Sequence, residues 1–142
     1  MDTYKFVTLS SIVQKEGSKP GDMARIARVF LNRLHKGMPL QSDPTMVYMP
    51  YGLHLSACPA LRRDRMNPYN TYAHGGLPTG PICCPGRKAM YATSHPYNGP
   101  DAHALLFFVA KGDGTHVFTK TFQAHKRAVK QYLHKHGQAG TQ

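Results

Sequence analysis

The amino-acid sequence predicts an α+β fold: a single compact domain with about four helices and a small β-sheet. Two segments with apolar residues at helical spacing open the chain, and another closes it. A continuous apolar run, a Gly-rich turn and a second short run precede the last helix, which is typical of a β-hairpin. With 142 residues the chain has the size of one domain. We expect it to span residues 1–136, with a flexible tail at 137–142.

The first predicted helix spans Thr3–Glu16. Leu9 and Val13 lie on one helical face, and Glu16 falls on the same face. Gly17 is a typical C-terminal stop. Because apolar surroundings and the negative end of the helix dipole both disfavour a carboxylate, the sequence predicts a raised pKa for Glu16. A raised pKa suits a general acid that works near neutral pH.

The second predicted helix runs from Asp22, a candidate N-cap, to about Lys36. It has a predicted buried stripe and a predicted solvent-facing side, after which Gly37 and Pro39 end it. The stripe comprises Met23, Ile26, Ala27, Phe30, Leu31 and Leu34, and the solvent-facing side comprises Arg25, Arg28, Arg33 and Lys36.

Residues 39–86 are rich in Pro, Gly, Asn, Asp and Tyr and have little periodicity, so we expect short strands or turns there. An ordered irregular stretch of this length is often functional. Pro85-Gly86 is predicted to open a short third helix that runs to about Thr93.

The hairpin and the last helix follow. Leu105–Ala110 and Thr115–Thr119 are the predicted strands of the 105–119 hairpin, joined by the turn at 111–114. The last helix is predicted over about Thr121–His136. Its predicted apolar side consists of Phe122, His125, Val129, Tyr132 and Leu133.

Composition restricts the partners and the compartment. Eighteen Lys and Arg against seven acids give a net charge of +11, which favours a polyanionic partner or simply a soluble basic surface. Since there is no run of about 20 apolar residues, no transmembrane segment is expected. The N-terminus lacks the basic region of a signal peptide. We therefore expect synthesis in the cytoplasm and another route to any target outside.

The cysteines indicate neither a disulfide framework nor a metal site. The chain has three cysteines, of which Cys83 and Cys84 are adjacent, so a reduced state is expected. Nine histidines accompany them, but no CxxC or HExxH spacing occurs. We expect no metal and no cofactor.

Glu16 is the single glutamate of the chain, since the other six acids are aspartates. If the protein carries out carboxylate chemistry, the list of candidate residues is therefore very short. The alternative is a helix-end carboxylate that pairs with Lys15, Lys19 or a buried arginine.

An ordered set of segments from about residue 6 to 133 resembles the catalytic domain of the endolytic murein transglycosylases, the YceG-like or MltG family. The segments are LSSIVQKE (9–16), ARVFLNRL (27–34), GMPLQSDPT (37–45) with Tyr48, YNTY (69–72), GLPTGPI (76–82), Pro85-Gly86, FVAKGDGTHVF (108–118) and His125.

The resemblance implies lytic cleavage of the MurNAc-GlcNAc β-1,4 bonds of peptidoglycan within the glycan strand, with 1,6-anhydroMurNAc ends. The catalytic residue would be Glu16, the second glutamate of the family's Glu-Lys-Glu segment, while the first position is Gln14 here. Hydrolysing glycosidases generally need two carboxyl groups. A lytic enzyme uses the sugar's own C6 hydroxyl as nucleophile, so a single carboxyl group suffices.

The resemblance also implies a set of substrate-binding residues. For several of them a structural role is the alternative: turn chemistry at 43–45, packing for at least one tyrosine, and a structural role for either histidine. His125 departs from the family pattern, because Ala124 and Lys126 flank it. The implied substrate-binding residues are Gln41, Ser42, Asp43, Thr45, Tyr48, Tyr69, Asn70, Thr71, Tyr72, His116 and His125.

Two other functions compete. Asp43 could serve as a second acid in a hydrolase of lysozyme type, and a basic module could bind peptidoglycan without cleaving it. Nucleic acid is not expected, because no recognition motif occurs. The short basic form suggests a monomeric phage lysin or delivered toxin. Its basic surface, including the last helix, is either solvated or attracted to anionic envelope polymers or lipid.

Overall fold

The computed structural model describes residues 1–48 and 59–136, with side chains undescribed at 59 and 133–136. The described residues form five α-helices, two 3₁₀ turns and one antiparallel pair of strands, so the predicted α+β class is confirmed. The helices are α1 (Thr3–Glu16), α2 (Pro20–His35), α3 (Asp43–Val47), α4 (Arg87–Ser94) and α5 (Phe122–His136); the strands are β1 (Phe107–Ala110) and β2 (His116–Thr119); the 3₁₀ turns are Pro59–Arg63 and Ala102–Ala104.

Helix α1 has the predicted bounds. The Asp2 side chain caps it by accepting a hydrogen bond from the Lys5 amide at 2.8 Å, and Leu9 and Val13 are fully buried. Gly17 ends the helix in an extended conformation. A Cβ atom at Gly17 would lie 2.9 Å from the Ile26 side chain, so glycine lets α2 follow closely on the end of α1.

Helix α2 begins two residues earlier than predicted, at Pro20, with Lys19 as its N-cap. The predicted N-cap, Asp22, lies in the first turn instead, because its carboxylate binds the hairpin. It accepts a hydrogen bond from the backbone amide of His116 at 2.7 Å. The prediction for Asp22 was therefore wrong.

Arg33 was also placed on the wrong side of α2. Its side chain is 2% exposed, although we expected it to face solvent. Arg33 follows Ile26 by seven residues and Phe30 by three, so it lies on the same helical face as these fully buried residues. The expectation followed its charge and not its position in the helical repeat.

The stretch from 39 to 86 forms short helices and turns in its described part. No strand occurs between residues 39 and 48 or 59 and 86, where α3 and the first 3₁₀ turn lie. Pro44 stands in the first turn of α3, as a proline can. The predicted third helix corresponds to α4, but Gly86 is its N-cap, so Pro85 precedes the helix and is not in its first turn.

The predicted hairpin is confirmed, with strands slightly shorter than expected. Phe108 pairs with Phe118 and Ala110 with His116, and Gly112 and Gly114 adopt positive φ in the turn. Helix α5 packs on both strands. On the predicted apolar side of α5, His125 is buried, whereas Phe122 is 59% exposed. The predicted tail at 137–142 lies outside the described residues.

The core lies where α1, α2 and α4 meet, and β1 closes it from one side. Phe108 of β1 packs edge-on against Phe30 of α2, with ring centroids 5.6 Å apart. Leu9, Ile12 and Val13 of α1 belong to the same buried cluster, which fixes the end of α1 that carries Glu16 relative to α2 and the hairpin. None of the described helices is long and apolar enough to span a membrane.

Candidate active site

Glu16 and Ser42 form the centre of the candidate site. Glu16 ends α1 and is 8% exposed, and Ser42 is the N-cap residue of α3 and fully buried. The Ser42 hydroxyl donates a 2.8 Å hydrogen bond to Oε2 of Glu16. The single glutamate of the chain therefore meets the 41–45 segment, and the predicted residues on these two elements are brought together.

Asp43, the next residue, is held by two side chains. Its Oδ1 accepts a 2.5 Å hydrogen bond from the Tyr72 hydroxyl and lies 3.5 Å from Nη2 of Arg62. The Arg62 guanidinium also lies over the Tyr72 ring, 4.7 Å from its centroid. Burial, the bond to Asp43 and the negative charges of Asp43 and Glu16 raise the pKa of Tyr72 well above its ordinary value. Tyr72 therefore acts as a neutral hydrogen-bond donor in this site.

Residues 39–42, named the strap here, form the last part of the connection from α2 to α3 and carry Ser42 to the site. Gln41 has φ of +51°, a left-handed conformation that costs free energy in a non-glycine residue. Its amide donates to the carbonyl of Thr71 at 3.2 Å. The amide of Ser42 donates to Oγ1 of Thr71 at 2.9 Å. The 69–72 segment therefore supports the conformation that aims Ser42 at Glu16.

Arg33 holds the strap from the other side. Its Nη1 donates to the carbonyls of Pro39 and Leu40, at 3.0 and 3.3 Å, and lies 3.5 Å from Oε1 of Gln41. Its Nε donates to the carbonyl of Leu106 at 2.7 Å. Burial lowers the pKa of Arg33. One buried guanidinium thus ties α2, the strap and the start of the hairpin together.

Three of the predicted substrate-binding residues are buried and bind the protein itself. Thr45 and Thr71 share a 2.7 Å hydrogen bond between their hydroxyls. The Asn70 amide donates to three carbonyls of the 61–64 segment, at distances of 2.9 to 3.1 Å. Since Thr45 and Asn70 are fully buried and Thr71 is 1% exposed, they shape the walls of the site from within.

Tyr48 and Tyr69 form a half-buried aromatic pair. Their rings meet edge-on with centroids 4.7 Å apart, and both pack against the core. An edge-on pair of this kind stabilises packing and leaves part of each ring exposed.

The two predicted histidines lie in other surroundings. The His116 ring contacts Asp22 at 3.2 Å and packs edge-on against Phe108, so it joins the hairpin to the start of α2. His125 is 3% exposed and stacks on Phe107, and the Arg33 guanidinium also lies over the Phe107 ring, 5.0 Å from its centroid. Both rings therefore pack within the protein.

Arg33 and Arg62 were not among the predicted site residues. For Arg33 the seven-residue spacing from Ile26 was an available signal, since a charged residue on a buried helical face needs partners. Arg62 had no comparable signal, because its contact with Asp43 joins residues 19 apart across an irregular segment.

Gln14, the departure from the resembled Glu-Lys-Glu pattern, takes part in the structure. Its Oε1 accepts a 2.8 Å hydrogen bond from the amide of Gly86, at the start of α4. Within the described residues there is no group of three or more His, Cys, Asp and Glu that could hold a metal ion. Cys83 and Cys84 are free thiols, and Cys58 lies outside the described residues.

The site is thus a buried carboxyl group at a helix end, held by a serine hydroxyl, beside a second carboxylate that a tyrosine and an arginine engage. A carboxyl group in such a position can transfer a proton to or from a bound substrate.

The sequence model of the YceG-like family matches residues 1–131, and the chain belongs to this family. It is 38% identical over 133 residues to an endolytic murein transglycosylase of Bacillus subtilis, covering 94% of this chain and 36% of that protein. It is 30% identical to one from Streptococcus pneumoniae, covering 91% and 24%. A crystal structure of a YceG-like protein from Listeria monocytogenes superposes with a TM-score of 0.77 at 39% identity, covering 89% of this chain and 39% of that one. The chain therefore spans about a third of the length of the first curated relative.

Proposed function

We propose that this domain cleaves the MurNAc-GlcNAc β-1,4 bonds of peptidoglycan within the glycan strand, as a lytic transglycosylase. The hydrogen bond between Ser42 and Glu16 is the observation that carries the proposal. It links the single glutamate of the chain to the 41–45 segment. Membership of the YceG-like family and the relatives named as endolytic murein transglycosylases support the same activity.

In the proposed reaction one carboxyl group acts twice. Glu16 first donates its proton to the glycosidic oxygen, so the bond from that oxygen to C1 of the muramic acid breaks. The resulting carboxylate then accepts the proton of the C6 hydroxyl, and the C6 oxygen bonds to C1. The products are a new 4-hydroxyl group and a 1,6-anhydro end, and no water is consumed.

Ser42 has a positioning role in this proposal. Its hydroxyl donates to Oε2 of Glu16 and so limits the rotation of the carboxyl group. A fixed carboxyl group lowers the entropic cost of reaching the geometry for proton transfer. The strap and Thr71 hold Ser42 in turn.

Asp43 is assigned a supporting role and not that of a second catalytic acid. Its Oδ1 already accepts the Tyr72 hydroxyl and lies 3.5 Å from Nη2 of Arg62, so these two side chains hold it within the protein. In this proposal the Asp43–Tyr72–Arg62 group, together with Gln41, Tyr48 and Tyr69, lines the path of the glycan. Thr45, Asn70, Thr71, His116 and His125 support that path from within.

Analysis of the cleavage products tests the proposal. Purified sacculi are incubated with the protein, and the released fragments are identified by mass spectrometry. We expect 1,6-anhydro ends, which are lost in Glu16→Gln, while Asp64→Asn serves as a control carboxylate outside the site. General acid–base catalysis supplies about 10² to 10⁴ in rate, so the loss should be of that order.

The other outcomes identify the competing functions. Fragments whose reducing ends carry added water would overturn the lytic mechanism in favour of a hydrolase. Binding to sacculi without any release would favour a non-catalytic peptidoglycan-binding module.

We also propose that this activity serves lysis of the wall, as in a phage endolysin. The net charge of +11 supports approach to an anionic envelope. Permeabilised cells should then lose turbidity on addition of the protein and not on addition of Glu16→Gln.

A further inference from the structure

We propose that the surface between α2 and α4 binds the peptide that the glycan strand carries, with Arg87 and Lys88 as the contacts for its carboxylates. This inference rests on the proposed function, because it concerns another part of the same substrate. It assigns a role to a surface that the cleavage chemistry does not use.

The surface consists of two recesses that share Arg87 and Lys88, and it is named the α2–α4 groove here. The first recess, of about 450 Å³, lies between the first turns of α2 and the exposed side of α4. The second, of about 630 Å³, extends past Gly86 to Gln14 and Gly17. Because Gly17 directly follows Glu16, the groove begins at the end of α1 that carries the proposed catalytic group.

The positive charge of the groove favours an anionic ligand. No acidic residue lines either recess. Arg87 and Lys88 are exposed and form no salt bridge with any described residue. The second recess is also lined by the neutral amide of Gln14, whose oxygen accepts a hydrogen bond from the amide of Gly86. An anion can therefore approach both cations without meeting a carboxylate of the protein.

The floor of the first recess restricts the ligand further. Gly21, Ala24 and Ala92 are small, so they leave room for side chains of the size of a methyl group. Tyr91 is 64% exposed and stacks on His95, with ring centroids 4.3 Å apart, so the pair forms a flat wall.

A short acidic peptide with small aliphatic side chains matches both features. The muramic acid of a glycan strand has its carboxyl group in an amide bond to the peptide, so the free carboxylates belong to the peptide. The combination of cations and an apolar floor therefore favours the peptide over the sugars.

A binding experiment tests the inference independently of cleavage. The probes are a GlcNAc-MurNAc disaccharide with its peptide and the same disaccharide with its muramic carboxyl group capped as a methylamide in place of the peptide. Each is titrated into Glu16→Gln by NMR. We expect tighter binding of the peptide-bearing probe, with amide shifts at Gly21, Ala24 and Ala92. Arg87→Gln/Lys88→Gln should weaken that binding about fivefold, as expected for two exposed charge pairs, and leave the capped disaccharide unaffected.

Two further variants sharpen the test. Gln14→Glu keeps an acceptor for the Gly86 amide but adds a carboxylate to the groove, so it should weaken only the peptide-bearing probe. Lys36→Gln/Arg65→Gln removes the same charge from exposed positions that line neither recess, and it should bind both probes as the parent does.

An activity experiment separates failure of this inference from failure of the proposed function. The unsubstituted protein is assayed on intact sacculi and on glycan strands that an amidase has stripped of peptide and whose freed muramic carboxyl groups have been converted to methylamides. Anhydro products from either substrate support the proposed function. Arg87→Gln/Lys88→Gln should then raise KM on intact sacculi alone. Equal losses on both substrates, or no loss on either, would overturn the peptide assignment while leaving the cleavage activity in place.

Discussion

At the scale of single residues, the site depends on hydroxyl groups that hold carboxylates. Ser42 donates to Glu16 at 2.8 Å and Tyr72 donates to Asp43 at 2.5 Å. A hydrogen bond contributes about 0.5 to 1.5 kcal/mol between neutral groups and about 1.5 to 3 kcal/mol where one partner is charged. Removing either hydroxyl should therefore have a measurable effect.

Ser42→Ala should reduce kcat about tenfold, because the loss of one hydrogen bond to Glu16 releases its carboxyl group. KM should change little, since the hydroxyl is buried and its partner is Glu16. The rate of anhydro-product release measures both parameters. Thr115→Ala, which removes a hydroxyl that binds the Asp113 carboxylate in the hairpin turn, is the control. An unchanged kcat in Ser42→Ala would contradict the positioning role.

Tyr72→Phe should change how stability depends on pH. The pKa of Tyr72 is raised in the folded state, so the folded protein keeps this proton while the unfolded chain loses it above the ordinary tyrosine pKa of about 10. Stability is therefore fully present below pH 10 and falls as pH rises beyond it. Urea unfolding at pH 9, 10 and 11 should show a shallower fall for Tyr72→Phe. If the free energy of unfolding fell equally with pH in the two proteins, the raised pKa of Tyr72 would be contradicted.

At the scale of elements, the strap brings the catalytic candidates together. It joins α2 to α3 through a left-handed Gln41, and its conformation is held by Arg33 on one side and by Thr71 on the other. Strained backbone persists where surrounding contacts over-determine it. The strap meets this condition, because Arg33 donates hydrogen bonds to its carbonyls and Thr71 accepts hydrogen bonds from its amides.

Arg33→Met should destabilise the fold by about 3 kcal/mol, because three backbone carbonyls lose their buried donor. It should also lower kcat in the molecules that remain folded, since Ser42 would lose its support. The matched control is Arg28→Met, on the same helix, which removes a 2.7 Å bond from Nε to the Tyr97 carbonyl and has no contact with the strap. Denaturation curves and kcat measure the two effects. Equal kcat values in the two variants at a temperature where both are folded would contradict the role of Arg33.

At the scale of the whole molecule, the net charge of +11 should control the approach to the substrate. Exposed charges interact over the Debye length, which falls from about 30 Å at 0.01 M salt to about 10 Å at 0.1 M. The attraction to an anionic wall should weaken accordingly.

Binding of Glu16→Gln to sacculi should therefore decrease as the salt concentration rises from 0.01 to 0.1 M. Over this range the Debye length becomes about threefold shorter. A co-sedimentation assay measures the bound fraction. Chitin, an uncharged polymer of the same kind of sugar, serves as the control and should show little salt dependence. Equal binding to sacculi at both salt concentrations would contradict electrostatic attraction.

Local sequence patterns determined much of this protein. The apolar spacing predicted α1 with its observed bounds, and the Gly-rich turn predicted the hairpin. The rarity of glutamate singled out Glu16. These features depend on residues within a few positions of each other, so a single sequence carries them.

The tertiary structure alone decided which groups meet. Ser42 binds Glu16 across 26 residues, and Thr71 supports Ser42 across 29. Arg33 lies on the buried face of α2, but only the tertiary structure shows that the carbonyls of the strap are its partners. The physical reason is that sequence periodicity specifies only which face of a helix is buried. The partner of a buried polar group depends on which distant segment supplies the complementary donor or acceptor.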